Sequence, residues 1–224
     1  METMKKIFCL AFAICCLVSA AIAGIPADRI VRPENLPAMG KWMLDRDLNP
    51  ASWLGVKYKG RSLREPINVV IVDKFSDSDY RARQKLVLNC ARAGYKSRIG
   101  HSGGYKGYIG GRVFDQIPSE SGHAFSNAPF VINNNHGRIF GPYFERGKYY
   151  FIASFSRETV APLSKIKHQY GSFNRARDNF AASMEKRTVY KIIGYANMNN
   201  RIVNDGALTT GDHDGSAVIL NAVE

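Results

Sequence analysis

The alternation of apolar and polar positions divides the chain into a few strong elements separated by glycine- and proline-rich stretches. Ile67-Asn68-Val69-Val70-Ile71-Val72 is a nearly continuous β-branched run between Pro66 and Asp73, the pattern of a central strand covered on both faces. Ser76-Asp77-Ser78-Asp79 supplies N-cap chemistry and predicts a helix over about 79–93, burying Leu86, Val87 and Cys90 and stopping at Gly94. Strands are predicted at 130–140 and 149–155, where aromatic residues favour cross-strand packing. A second helix is predicted from about 172–174 to Lys186, followed by strands at 189–195 and 217–220. Residues 53–58 read as a first strand or a packed loop. Residues 24–50 carry four prolines and read as an extended arm with one short helix around 39–44. This order predicts an α+β fold, a two-layer sandwich of a mixed or antiparallel sheet with two main helices.

The N-terminus changes the compartment. Lys5 and Lys6 precede an apolar run that ends in Ala21-Ile22-Ala23, the form of a secretory signal peptide. Cleavage after Ala23 is expected, giving an arm over 24–50 and an α+β domain over 51–224. Cys9, Cys15 and Cys16 leave with the leader, so Cys90 is the remaining cysteine and no internal disulfide is possible. The formal charge of +12 loses Lys5, Lys6 and Glu2, a net of one, leaving +11. A basic exported protein meets anionic lipid head groups or acidic glycans. No run of five like charges occurs, so a nucleic-acid arm is not indicated.

Candidate chemistry concentrates in Asn133-Asn134-Asn135-His136-Gly137-Arg138. On a strand His136 and Arg138 share a face, and Arg138 offers a planar fork of donors suited to phosphate or carboxylate. Asn133, Asn134 and Asn135 supply neutral donors nearby, and the glycine-rich 94–112 stretch reads as a surface loop able to bring backbone amides close. Gly100-His101-Ser102-Gly103-Gly104 matches a nucleophile elbow in letters, but a polar segment precedes it and no helix former follows. Gly211-Asp212-His213-Asp214-Gly215 reads as a turn. His136, His168 and Asp178 are a possible convergent set, with Arg177 beside them. No closely spaced histidine pair supports zinc, so neither a metal nor another cofactor is expected.

Short blocks in fixed order resemble the C-terminal domain family of the type I secretion-associated protein LssY. They are residues 66–72, Ala93-Gly94-Tyr95, His136-Gly137-Arg138-Ile139-Phe140, Phe151-Ile152-Ala153-Ser154, Lys167-His168 to Arg177-Asp178, and Asp214-Gly215. The resemblance covers roughly 49–220 and implies a role in the cell envelope, where phosphorylated lipids or a secretion partner are available. The family's stretch after the second histidine is acidic. This chain keeps His168, Arg177 and Asp178 but lacks most of those acids, so no metal chemistry is carried over. The expected function is a non-catalytic, exported module that binds an anionic or phosphate group through His136, Arg138, Asn135, His168, Arg177 and Asp178. The alternatives are a hydrolase of phosphorylated or acylated envelope substrates and a secretion-associated interaction protein.

Overall fold

The computed structural model describes residues 25–160 and 168–224; the expected leader and its cleavage point lie outside them. Two helices pack on a large curled mixed sheet, and a small three-stranded sheet lies beside it, an α+β architecture. At the centre is β5 (Val69–Asp73), between antiparallel β11 (Lys148–Val160) and parallel β15 (Ser216–Ala222). All five residues of β5 are buried, which its unbroken β-branched sequence requires, since neither face meets water.

Beyond β15 lies β13 (Tyr190–Asn197). On the other side β11 pairs with the long β10 (Asn134–Glu145). The path continues through β8 (Arg112–Ile117), β7 (Lys106–Ile109), β2 (Met39–Gly40) and β1 (Ile30–Val31). Next to His136, β10 also pairs with β9 (His123–Ser126), which pairs with β6 (Lys96–Ile99). β12 (His168–Ser172) pairs with β11. The small sheet is β3 (Ser52–Tyr58), β4 (Arg61–Arg64) and β14 (Leu208–Thr209).

Helix α1 (Asp79–Arg92) starts at Ser78, whose side chain accepts from Arg81 N, and Gly94 leaves it with φ +90°. Helix α2 (Phe173–Arg187) starts at Ser172 in the same way. Asp212 holds its first turn, accepting from Phe173 N at 2.8 Å and from the hydroxyls of Tyr170 and Ser172. The helices cover one sheet face. Leu86 and Cys90 of α1, and Phe180 and Met184 of α2, share a core with Val69, Ile71, Phe151 and Phe155. Phe155 stacks on Phe180 at 4.0 Å. Burial pushes the Cys90 thiol up, so it acts there as a small apolar side chain.

The opposite face, with Val70, Val72, Phe140 and Ile152, is covered by the N-terminal arm through Met39 and Met43. The helix expected at 39–44 is not formed. Met39 pairs with Ile109, Trp42 bridges Pro66 and Leu44 bridges Lys106. An extended arm supplies the sheet edge with hydrogen bonds and its face with apolar cover, which a single helical turn cannot do together. The 94–112 stretch, read as a loop, contains β6 and β7, and 123–126 is β9. Their partner strands override a composition that favours loops.

Asn68 shows how the two central strands are locked. It is fully buried; its Nδ2 donates to Phe155 O and its Oδ1 accepts from Phe155 N, each at 2.9 Å. Asn68→Ala leaves both backbone groups buried and unpaired. A loss of about 2–4 kcal/mol is expected in urea unfolding, read as a lower midpoint at unchanged slope.

Candidate functional site

β10 and β11 pair with Asn134 opposite Glu158, His136 opposite Ser156 and Arg138 opposite Ser154. Alternate residues share a face, so these six buried side chains form one polar strip. The intervening Ile139, Ala153 and Phe155 point to the helices. Other elements close over the strip. The turn after β6 brings His101 and Ser102, the end of β4 brings Glu65, β3 brings Trp53, and β12 brings His168. The cleft between them holds a space of about 60 Å³. Gly100 is required at that turn, because φ is +104° and a Cβ would collide with Phe130.

Within the cavity one ligand atom each from His101, His136 and Glu158 lies within 4.8 Å of the other two. His101 Nε2 is buried with no hydrogen-bond partner among the described residues. Asn134 stands between the other two ligands. Its Nδ2 donates to Glu158 Oε2 at 3.2 Å, which fixes the amide so that Oδ1 faces His136 Nδ1 at 3.0 Å. Nδ1 therefore carries the proton, and the lone pair of His136 is on Nε2, 3.4 Å from the Ser156 hydroxyl. Trp53 Nε1 donates to that hydroxyl at 3.1 Å. His136 Nδ1 also lies 3.7 Å from Glu158 Oε2, and an imidazole with one nitrogen held by an amide oxygen is fixed in tautomer and orientation, as metal-ligating histidines are. His168 Nδ1 is 3.3 Å from Glu158 Oε2 but misaligned for a hydrogen bond. Its ring stacks on Phe130 at 6.0 Å.

Arg138 forms one wall. Its Nη2 donates to Ser102 O at 2.6 Å, its guanidinium lies 4.8 Å from the Tyr105 ring centre, and its Nε is buried without a partner among the described residues. Burial, then the Arg138 charge, lowers His101 to about 4 and holds His136 well below its ordinary value, so both rings are neutral at pH 7. Glu65 is pushed up to about 7 by burial, with Arg138 pulling down and Glu158 pushing up. Neutral imidazoles and two carboxyl groups beside one guanidinium make a poor site for a bare anion. They suit a cation, which an anionic group can then join on the Arg138 side.

The Glu65 shift makes stability depend on pH. Its folded pKa lies above the ordinary 4.5, so the folded chain binds more protons than the unfolded chain between about pH 4.5 and 7. Its contribution is full below that window and is lost as pH rises through it. In metal-free protein, wild type should lose about 3 kcal/mol relative to Glu65→Gln between pH 4.5 and 8, measured by urea unfolding of both.

Of the residues expected at the site, His136, Arg138 and His168 line this cavity. Asn135 points to the other face of β10, where its Oδ1 accepts from Arg157 Nη1 at 3.1 Å. Arg177 is buried in α2, donating to Asp178 and Asp214 at 2.8 Å and to Ser216 O at 2.9 Å, so it fastens α2 to the loop before β15 and Asp178 only braces it on the same helix. Asn134 belonged to the expected stretch only as a neutral donor and His101 only to a flanking loop, while Glu65 and Glu158 were not among the expected site residues. The alternation Ser154, Ser156, Glu158 was the signal for the last of them. The elbow-like Gly100–Gly104 letters lead from β6 to β7 with no helix between, and Ser102 Oγ is 2.9 Å from Tyr105 Oη. Among the described residues no helix is long and apolar enough to cross a membrane. Comparison of the chain with protein-family models, with curated proteins and with solved structures finds no match.

Proposed function

We propose that the cleft holds one divalent transition-metal ion on His101, His136 and Glu158, and that the protein is an exported hydrolase acting on phosphate- or acyl-ester groups of envelope molecules. The observation that carries this reading is the convergence of three ligand atoms within 4.8 Å, two of them on rings held neutral. Two histidines and a carboxylate leave positions open for water and substrate, and such an ion polarises an ester oxygen and activates water. Arg138 supports the choice of substrate. Its buried Nε sits on the same cavity wall and offers a charge-assisted bond to an oxyanion. The cavity is only about 60 Å³, so the small anionic end of a substrate reaches it while the bulk remains outside. His168, beside Glu158 and partly exposed, lines the same cavity.

Basic charge, the leader-like N-terminus and the LssY-like blocks on β10, β11 and β12 support the envelope setting. The small cavity also favours a second reading, in which the same ion and Arg138 bind an anionic group without turnover. Turnover separates the two. Para-nitrophenyl phosphate and para-nitrophenyl acetate are assayed with zinc- or manganese-loaded protein, with chelated protein and with Arg138→Lys. Metal-dependent release that falls at least tenfold in Arg138→Lys supports the hydrolase. Tight metal binding with no release from either ester leaves the binding reading.

A further inference from the structure

Leu54 lines the metal cleft and is nevertheless 45% exposed, so it stands where the cleft meets solvent. It belongs to a protruding part of β3. The pairing with β4 breaks between Ser52 and Lys57, leaving Leu54, Gly55 and Val56 without partners in that strand. Trp53 turns inward and donates to the Ser156 hydroxyl, while Leu54 and Val56 stay outside. Leu54 has φ +46°, a left-handed backbone that leucine rarely adopts and that local preference does not explain. A second apolar tip reaches the same cleft from the turn before β10. Ile132 N donates to Pro129 O at 3.2 Å, closing a turn on which Val131 and Ile132 are 45% and 52% exposed. Phe130 anchors this turn, its ring stacked on His168 and packed against Gly100, two residues of the cleft wall. Asn134, whose amide orients His136 and Glu158, also donates to Ile132 O at 3.0 Å. One side chain therefore holds both the tip and two of the metal ligands in place.

Exposed apolar side chains scattered singly need no explanation, but two anchored tips of them beside one polar cleft do. The charge around them has one sign: residues 52–60 carry Lys57 and Lys59, both exposed, and neither that segment nor 127–133 contains a carboxylate. We propose that the two tips seat the cleft on an anionic lipid bilayer, with Leu54, Val56, Val131 and Ile132 among the acyl chains and Lys57 and Lys59 at the head groups. Apolar residues beside lysines are the pattern of an interfacial surface, and the basic chain as a whole adds long-range attraction. The group that enters the cleft is then the head group of a lipid whose chains stay in the membrane, which matches a cleft that admits only a small anionic end. This substrate class rests on the hydrolase reading; the seating on the bilayer does not.

The test sediments chelator-treated protein with vesicles of equal parts phosphatidylcholine and phosphatidylglycerol, and with phosphatidylcholine alone. Wild type should bind the anionic vesicles, more weakly as salt is added, and prefer them to the neutral ones. A variant with Leu54, Val56, Val131 and Ile132 all replaced by Ser should lose about tenfold or more in vesicle affinity while keeping its melting temperature, since the four side chains are exposed. Tyr80→Gln with Leu88→Gln removes two exposed apolar side chains from α1, on the opposite side of the sheet, and should bind as wild type does. Absence of vesicle binding by wild type, or equal loss in the two variants, overturns the proposal. Metal-loaded wild type should also cleave phosphatidate in vesicles faster than para-nitrophenyl phosphate. Cleavage of neither, with vesicle binding intact, overturns the substrate class together with the hydrolase reading and leaves the seating supported. Cleavage of the soluble ester without vesicle binding overturns the seating and leaves the hydrolase reading.

Discussion

In a His101→Ala variant, the thermal stabilisation that zinc gives the wild-type protein is expected to vanish. An ion at a hundredfold excess over its Kd stabilises a folded chain by about 2.7 kcal/mol, a rise of roughly 5–11 °C for a domain of this size. His101 contributes no other polar contact through Nε2 among the described residues, so the apo protein should melt close to wild type. Removing a buried ring nitrogen with no partner costs little, whereas removing a ligand collapses the affinity. Asn134→Ala should behave differently. The three ligands remain, but His136 and Glu158 lose the amide that orients both. Affinity should then fall about 10–100-fold, a graded loss that calorimetry can read.

Gly137→Ala should have a large effect on the fold. Gly137 lies between His136 and Arg138, and a Cβ there would stand 2.5 Å from the Phe155 ring and from Ser154 O. Neither can give way, since Phe155 is stacked on Phe180 and Ser154 belongs to the central β11 ladder. Overpacking of this kind costs about 3 kcal/mol, a fall of roughly 6–12 °C in the melting temperature. The damage should be coupled, because the same backbone carries the ligand His136 and the wall residue Arg138. Metal affinity and stability should fall together in this variant, in contrast to His101→Ala.

The framework was readable because it depends on local chemistry. Val69–Val72 announces a strand buried on both faces, Ser78 and Gly94 mark the ends of α1, and Ser172 marks the start of α2. The arm was misread at 39–44 because Met39 and Met43 satisfy either a helical or an extended pattern, and the choice is made by a distant sheet face and edge. The site was half readable for a related reason. The two-residue spacing of His136 and Arg138 gives their shared face without further information. Glu158 was missed because the second strand was taken to end at Phe155, three residues short of the carboxylate. His101 and Glu65 reach the cleft from a turn and a strand end far away in sequence, and no spacing rule brings them there. The proposed centre takes its two histidines from distant segments, which a rule of closely spaced histidines does not cover. Asn135 and Arg177 looked equivalent to the cleft residues in type, but the pleat turns one away and Asp178 and Asp214 hold the other.

Zinc titration of chelator-treated protein by isothermal calorimetry tests the central claim most directly, with His101→Ala and Glu158→Gln in parallel. One ion per chain is expected for wild type, with affinity lost by at least a hundredfold in both variants and kept in Asp178→Asn, which lies outside the cleft. Absence of stoichiometric binding by wild type, or equal binding by all four proteins, would contradict the assignment of His101, His136 and Glu158 as a metal centre.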